Sequence, residues 1–176
     1  MNFKKTVFKS LVTSKLKKNE IEKICKLKDT HWKYGIRSQL KWFHQNIQNE
    51  DVHNLVYINK ELIGYNLLRK RIFYVKNFFS PYFYFDTIII LKKFRGLKIG
   101  HQLCNFSGKI IKKKKLHSML ICKKNLVSFY SKYKWKKKLK KNIVILDHTY
   151  PKNYSIMIYN QQHDLLKKKI KYLLFT

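Results

Sequence analysis

The chain has 176 residues, 45% hydrophobic and 15% aromatic, which is enough to bury the core of one domain and too apolar for a disordered basic tail. Forty basic against nine acidic residues give a net charge of +31, a pull toward anionic partners; yet only Arg37, Arg69, Arg71 and Arg95 are arginines and the lysines are scattered, so an A+T-rich coding sequence accounts for the charge as well as a nucleic-acid partner does. No apolar run approaches the roughly 20 residues of a membrane span, and Met1-Asn-Phe-Lys-Lys5 lacks the apolar stretch of a signal peptide, so a cytoplasmic protein without a membrane partner is expected.

Taken in order, residues 3–12 alternate loosely and predict a first strand. Asn19-Glu-Ile-Glu reads as a capped helix start, with Ile21, Ile24 and Leu27 on one face. Residues 37–49 predict a second helix with Leu40, Phe43 and Ile47 aligned. Residues 55–68 carry the clearest hairpin signal, two apolar strands about Asn59-Lys60-Glu61, with Gly64 marking a bulge or a close backbone approach. Residues 75–83, with Pro81 and several aromatics, read as a loop. Cys25, Cys104 and Cys122 show no metal-ligand or disulfide spacing and read as reduced, buried thiols.

The next stretch organises the rest. Phe85 to Leu91 is an apolar, β-branched run of strand length, Lys92 to Lys98 is polar and contains Gly96, and from Ile99 the apolar residues Ile99, Leu103, Phe106 and Ile110 follow helical spacing to about Lys115. A strand, a glycine-containing turn and a helix N-terminus present backbone N–H groups to an anion, and Arg95 and Lys98 add charge there. An ordinary strand-to-helix turn with a solvated basic loop is the alternative. Residues 118–122 predict a strand parallel to 86–91, because a helix joins them. Asn125 reads as the cap of a short helix bearing Leu126, Phe129, Tyr130 and Tyr133. Trp135 opens a basic segment toward a strand near 143–146; 154–159 is a last strand, and Leu165, Leu166, Ile170 and Leu173 predict a C-terminal helix over about 161–174.

Arg95-Gly-Leu-Lys-Ile-Gly100 resembles the acetyl-CoA signature of the GNAT N-acetyltransferase family, Arg/Gln-x-x-Gly-x-Gly/Ala, with Lys98 in place of the first glycine. If that position needs φ > 0, a lysine there costs on the order of 1 kcal/mol; if it only donates its N–H, lysine is harmless. Asn125-Leu-Val-Ser-Phe-Tyr-Ser-Lys-Tyr-Lys-Trp135 is similar to the family's second signature, with Phe129 and Tyr130 matched, Trp135 matched, and Lys134 in place of a glycine. The order of elements is also that of the family, over roughly residues 1–160.

The resemblance implies an α/β (α+β) single domain over 1–176, with a mixed central sheet of six to seven strands, helices on both faces and an added C-terminal helix. It implies acetyl-CoA as co-substrate, no metal, and transfer of the acetyl group to a primary amine of a small molecule, amino sugar or protein by direct attack in a ternary complex. Ile89, Ile90 and Leu91 would face the pantetheine arm. The amides of Leu97, Lys98, Ile99 and Gly100 would hold the pyrophosphate with Arg95 neutralising it, Gly96 and Gly100 being the positions least free to change; Asn125 joins the cofactor-binding set. Tyr130 takes the family's position for the general acid that protonates the thiolate, against its reading as a core-facing tyrosine. Asp86 is the candidate base: it interrupts an apolar strand and, by period two, points with Ile88 and Ile90. A strand-end aspartate bonding nearby backbone, or proton relay through water, are the alternatives. Acceptor loops are expected near 28–37, 74–84 and 148–154, and a homodimer is left open. Two rivals stand: a basic nucleic-acid-binding protein, for which any binding would be non-specific, and a non-catalytic CoA-binding member of the fold.

Overall fold

The computed structural model describes residues 6–75, 78–138, 143–145, 153–160 and 170–173. The chain divides into two compact units, residues 1–69 with 87–107, and residues 70–86 with 108–176. Among the described residues no helix is long and apolar enough to cross a membrane.

In the first unit β1 (Val7–Val12) pairs antiparallel with β2 (Val52–Ile58), and β2 with the first half of β3 (Glu61–Val75). The β2–β3 turn is the two residues Asn59 and Lys60, both at positive φ (51° and 66°), one position tighter than the expected Asn59-Lys60-Glu61 and in the mirror-image form that matches strand twist. Val56 pairs with Gly64 but Tyr57 with Leu62, so Ile63 is an extra residue. That bulge resets the side-chain alternation: Leu62 and Tyr65 come to share a face, while Ile63 lies in the cluster on the other. Gly64 also allows close approach, since a Cβ there would lie 2.7 Å from Ile90 Cδ1.

Helix α1 (Lys18–Asp29) packs Ile24 and Leu27 on Leu55, Leu67 and Ile89, the last from β4 (Phe78–Ile90). Its first turn is closed by Glu20, which accepts the Lys17 N–H at 2.9 Å and the Lys9 ammonium at 2.9 Å; Asn19, expected as the cap, lies inside the helix. Helix α2 (Ile36–Asn46) follows a short loop and buries Phe43. The opposite sheet face carries Val56, Ile63, Ile88 and Ile90 under Ile99 and Leu103 of α3 (Ile99–Lys113). Leu55, Ile63 and Leu103 are fully buried, each worth about 1.5–3 kcal/mol of apolar burial.

In the second unit the first half of β4 pairs parallel with β5 (Ser118–Lys123), as the intervening helix requires. Beyond β5 come α4 (Val127–Ser131), β6 (Lys136–Lys138), β7 (Ile143–Ile145), β8 (Tyr154–Tyr159) and β9 (Ile170–Leu173). β8 lies between β5 and β6, antiparallel to both, and β9 pairs with β3 at Ile72–Tyr74 and with β7. Three expectations are corrected here. The expected loop 75–83 is mostly strand: β4 starts at Phe78, with Pro81 exposed, because its aromatics favour extended backbone. Ile170–Leu173 is strand rather than the end of a helix; the rest of that expected helix lies outside the described residues. The basic segment after Trp135 contains a strand, β6.

Two imidazoles are buried. His53 lies between Phe43 (5.6 Å) and Tyr65 (5.9 Å), its Nδ1 2.8 Å from the Tyr65 hydroxyl and its Nε2 2.9 Å from Thr13 Oγ1; burial, then the nearby Lys28 charge, pushes it down to about 3. In the second unit burial against Phe73 and Tyr82 pushes His117 down to about 4. Both pKa values are depressed, so the unfolded chain binds the extra protons as pH falls below 6.5, and stability is lost from there toward pH 4. The expected loss is up to about 1.4 kcal/mol per pH unit for each ring. Melting temperature followed from pH 7.5 to 4 checks this, and His53→Gln should flatten the profile; a flat profile for the unsubstituted protein would refute it.

Candidate active site

Strand β4 ends at Ile90, and the chain is pinned as it leaves the sheet: the Leu91 N–H donates to the Ile63 carbonyl at 2.9 Å. Residues Lys92–Phe94 form one 3-10 turn. Gly96 then adopts φ 85° and Lys98 φ 58°, two left-handed residues within three positions, and α3 begins at Ile99 with the Lys98 carbonyl accepting from the Gln102 N–H at 3.0 Å. Phe94, Ile99 and Leu103 pack into one cluster with Ile88 and Ile90, which fixes the helix N-terminus against the end of the strand. The exposed Arg95 is tied to the same strand end, its Nε donating to the Ile90 carbonyl at 3.1 Å. First-turn N–H groups of a helix, Arg95 and the exposed Lys98 together make a surface suited to an anion.

The two glycines of the turn differ in kind. Gly96 is held by its backbone, since nothing lies within 4 Å of a Cβ there but φ +85° disfavours any L side chain. Gly100 has no such need: it is helical, and an added Cβ would meet only Ile90 Cγ1 at an ordinary 3.8 Å. The chain itself does not call for glycine at position 100.

Lys98 meets the costly condition foreseen from the sequence, because it does sit at positive φ, and Lys134 does the same at 65°. Lys98→Gly and Lys134→Gly are each expected to stabilise the fold by roughly 1 kcal/mol, or about 2–4 °C in a chain of this size. Thermal melts of the single and double variants check this; an unchanged or lower midpoint would count against the strain.

In the second unit the β4–β5 ladder consists of Phe83↔Ser118 and Tyr84↔Met119; past it, Phe85 and Asp86 continue β4 and Leu120 to Lys123 continue β5 without pairing to each other. The strands therefore separate after two pairs. Tyr130, on α4, is buried (6% exposed) in an aromatic cluster, its ring 6.0 Å from Phe85, 6.2 Å from Trp135 and 5.1 Å from Phe129. Trp135 also packs on Phe85 and on Tyr159, each at 5.3 Å, and Gly108 makes room for Tyr159, whose hydroxyl would lie 2.9 Å from a Cβ there. The phenol is thus held by rings from β4, its own helix and Trp135, the residue before β6.

Asp86, next to Phe85, is half-buried, and half-burial recurs at Tyr84, Ile88 and Ile90 while Phe83, Phe85, Thr87 and Ile89 are buried, the expected period of two. Asn125 does not cap α4: it lies exposed in the 3-10 turn Lys124–Leu126, and α4 has no side-chain cap. So Ile89, Ile90, Leu91, Arg95 and the residues from Gly96 to Gly100 come together in one unit, and Asp86, Asn125 and Tyr130 belong to the other. Two positioning residues went unforeseen. Asn66, buried on β3, donates from Nδ2 to the Thr87 carbonyl at 2.7 Å and accepts from Ser107 Oγ of α3 at 2.7 Å; its polar side chain in an apolar strand was the available signal. Phe85, read only as strand, supports Tyr130.

Burial pushes the thiols of Cys25 and Cys122 up to about 11 and of Cys104 up to about 12, so none is a poised nucleophile. Among the described residues no group of three or more His, Cys, Asp and Glu is placed to hold a metal.

The family described as acetyltransferase (GNAT) domain matches residues 13–144. No curated protein sequence matches the chain. Among solved structures the fold is similar to Escherichia coli YhbS, a GNAT family N-acetyltransferase in complex with CoA (TM-score 0.68, 10% identity, 96% of this chain and 89% of that one). It is also similar to Escherichia coli ElaA (TM-score 0.65, 14% identity, 88% and 99%) and to Arabidopsis thaliana Naa50 in complex with a bisubstrate analogue (TM-score 0.58, 16% identity, 86% and 97%). At these identities the likeness is one of fold. The family match runs from just after β1 into β7 and takes in the turn, the parallel strands and α4: the chain belongs to the GNAT acetyltransferases and is an acyltransferase.

Proposed function

We propose that the protein transfers the acetyl group of acetyl-CoA to a primary amine. The observation that carries this is the turn from Leu91 to Gly100, where two left-handed residues, a tethered arginine and a glycine that the chain's own packing does not need lead into a helix N-terminus. The pyrophosphate of CoA lies against the amides of Leu97 to Gly100, with Arg95 close by. The pantetheine arm runs along Ile89 to Leu91, and the early parting of β4 and β5 supports its entry as an added strand.

A neutral amine attacks the thioester carbonyl, a tetrahedral intermediate forms, and the C–S bond breaks with the CoA thiolate leaving. Asp86 takes one proton from the ammonium form of the acceptor before attack; Tyr130 gives the departing thiolate its proton, and the proton that the nitrogen sheds as the amide forms returns the phenolate to phenol by way of solvent. Direct attack in a ternary complex is favoured over an acyl-enzyme because the three thiols are buried and protonated.

Calorimetry with acetyl-CoA should show saturable one-to-one binding, and thiol release should depend on an added amine. A folded protein that does not bind acetyl-CoA would overturn this function. Binding without thiol release across a broad panel of amines would favour the non-catalytic member of the fold.

A further inference from the structure

A cleft of about 280 Å³ lies in the first unit among α1, the β2–β3 turn and the end of β4. Its floor is apolar: Leu27 and Leu62 are buried core residues, and Leu91 is half-buried beside them. Its rim is cationic. Lys23 and Lys26 stand three residues apart on one face of α1, and Lys60 projects from the tip of the hairpin opposite. All three are exposed, and none makes an ion pair among the described residues. The carboxylate that could have neutralised them, Glu61, is held by another cation: Lys93 Nζ lies 2.8 Å from its Oε1 and 3.0 Å from its Oε2. Three uncompensated ammonium groups around an apolar floor repel one another, and an anionic head group seated among them would relieve that while its body covered the leucines.

We propose that this cleft is a binding site for a small amphipathic organic anion, a carboxylate or phosphate monoester on a short apolar chain. The volume falls just below the range of drug-sized pockets, which suits such a ligand and not a whole nucleotide. The site shares Leu91 with the proposed pantetheine path, but its cations, Lys23, Lys26 and Lys60, are not those of the acetyl-CoA turn, Arg95 and Lys98.

The test is calorimetry of the full chain with octanoate, hexyl phosphate and octylamine, alongside backbone amide shift mapping. The two anions share the required chemistry, and the tighter of them identifies the head group. Octylamine has the same apolar body and the wrong charge, so it is expected to bind at least tenfold more weakly. The variant Lys23→Gln, Lys26→Gln, Lys60→Gly should lose at least tenfold in anion affinity without losing its fold, because Lys60 sits at φ 66° and glycine relieves that backbone. Shifts should centre on residues 60–62 and 23–30. Failure of both anions to bind, equal binding of octylamine, full affinity in the triple variant, or shifts centred on residues 95–100 would each overturn the site.

Discussion

Gly100→Glu is expected to abolish measurable acetyl-CoA binding while leaving the protein at least as stable as before. Gly100 is the second residue of α3, half-buried, with only Ile90 Cγ1 near the position of a Cβ. Inside a helix, replacing glycine by a better helix former gains about 0.5–1 kcal/mol, and an acid in the first turn gains a further few tenths from the helix dipole. The fold should therefore tolerate glutamate well. A pyrophosphate seated on the first-turn amides would instead meet a carboxylate at contact distance. Two like charges 4 Å apart repel by about 1 kcal/mol in bulk water and about 4 kcal/mol near a protein surface, so an affinity loss of roughly 10²–10³-fold is a conservative expectation. Gly100→Ala adds bulk without charge and should lose less, on the order of tenfold. Stability and affinity moving in opposite directions is the signature that separates a ligand site from a packing site. A melting curve and an acetyl-CoA titration of each variant measure both, and unchanged affinity in a folded Gly100→Glu protein would place the pyrophosphate elsewhere.

Which elements were legible follows from how local their causes are. The strand, turn and helix from Phe85 to Lys113 were readable because a change of apolar period from two to 3.6 is written in consecutive side chains, and the parallel pairing of β4 with β5 followed from the connecting helix. The hairpin and the Gly64 bulge were readable for the same reason. Pro81 among its aromatics pointed to a loop, but whether a proline breaks a strand depends on whether its missing N–H was needed by a neighbour, and composition does not carry that. Asn19 looked like a cap, yet the helix starts at Lys18, with Glu20 reaching back to the Lys17 amide and also to Lys9 on β1, a partner eleven residues away. In the candidate site the residue types were visible in the signatures. The backbone angles were not: the sequence left φ open at Lys98 and was silent on it at Lys134, and the structure has positive φ at both, so the turn geometry prevailed over residue preference at a cost. Of the three rings that hold Tyr130, Phe129 and Trp135 stand beside it in the second signature, whereas Phe85 is about forty-five residues away, a separation over which periodicity is silent.

Replacing Tyr130 by phenylalanine is expected to cut turnover by roughly 10²–10⁴-fold, the usual scale for losing a general acid, with acetyl-CoA affinity nearly unchanged. The substitution suits the site because the ring's contacts with Phe85, Phe129 and Trp135 are retained and only the hydroxyl goes. Any hydrogen bond lost with that hydroxyl is worth about 1 kcal/mol, a few degrees in melting temperature, and too little to unfold the chain. The readouts therefore divide: a core tyrosine would show a small stability change at full turnover, an acid the reverse. A pH profile sharpens the division, since without the phenol the thiolate must leave unprotonated, and poorer thiols as leaving groups should suffer most. Asp86→Asn probes the other proton. Its loss should ease as pH rises, because free amine then becomes abundant in solution and no base is needed to produce it. Full turnover in Tyr130→Phe would return that residue to packing, and a loss in Asp86→Asn that persists at high pH would mean that the carboxylate orients the acceptor rather than deprotonates it.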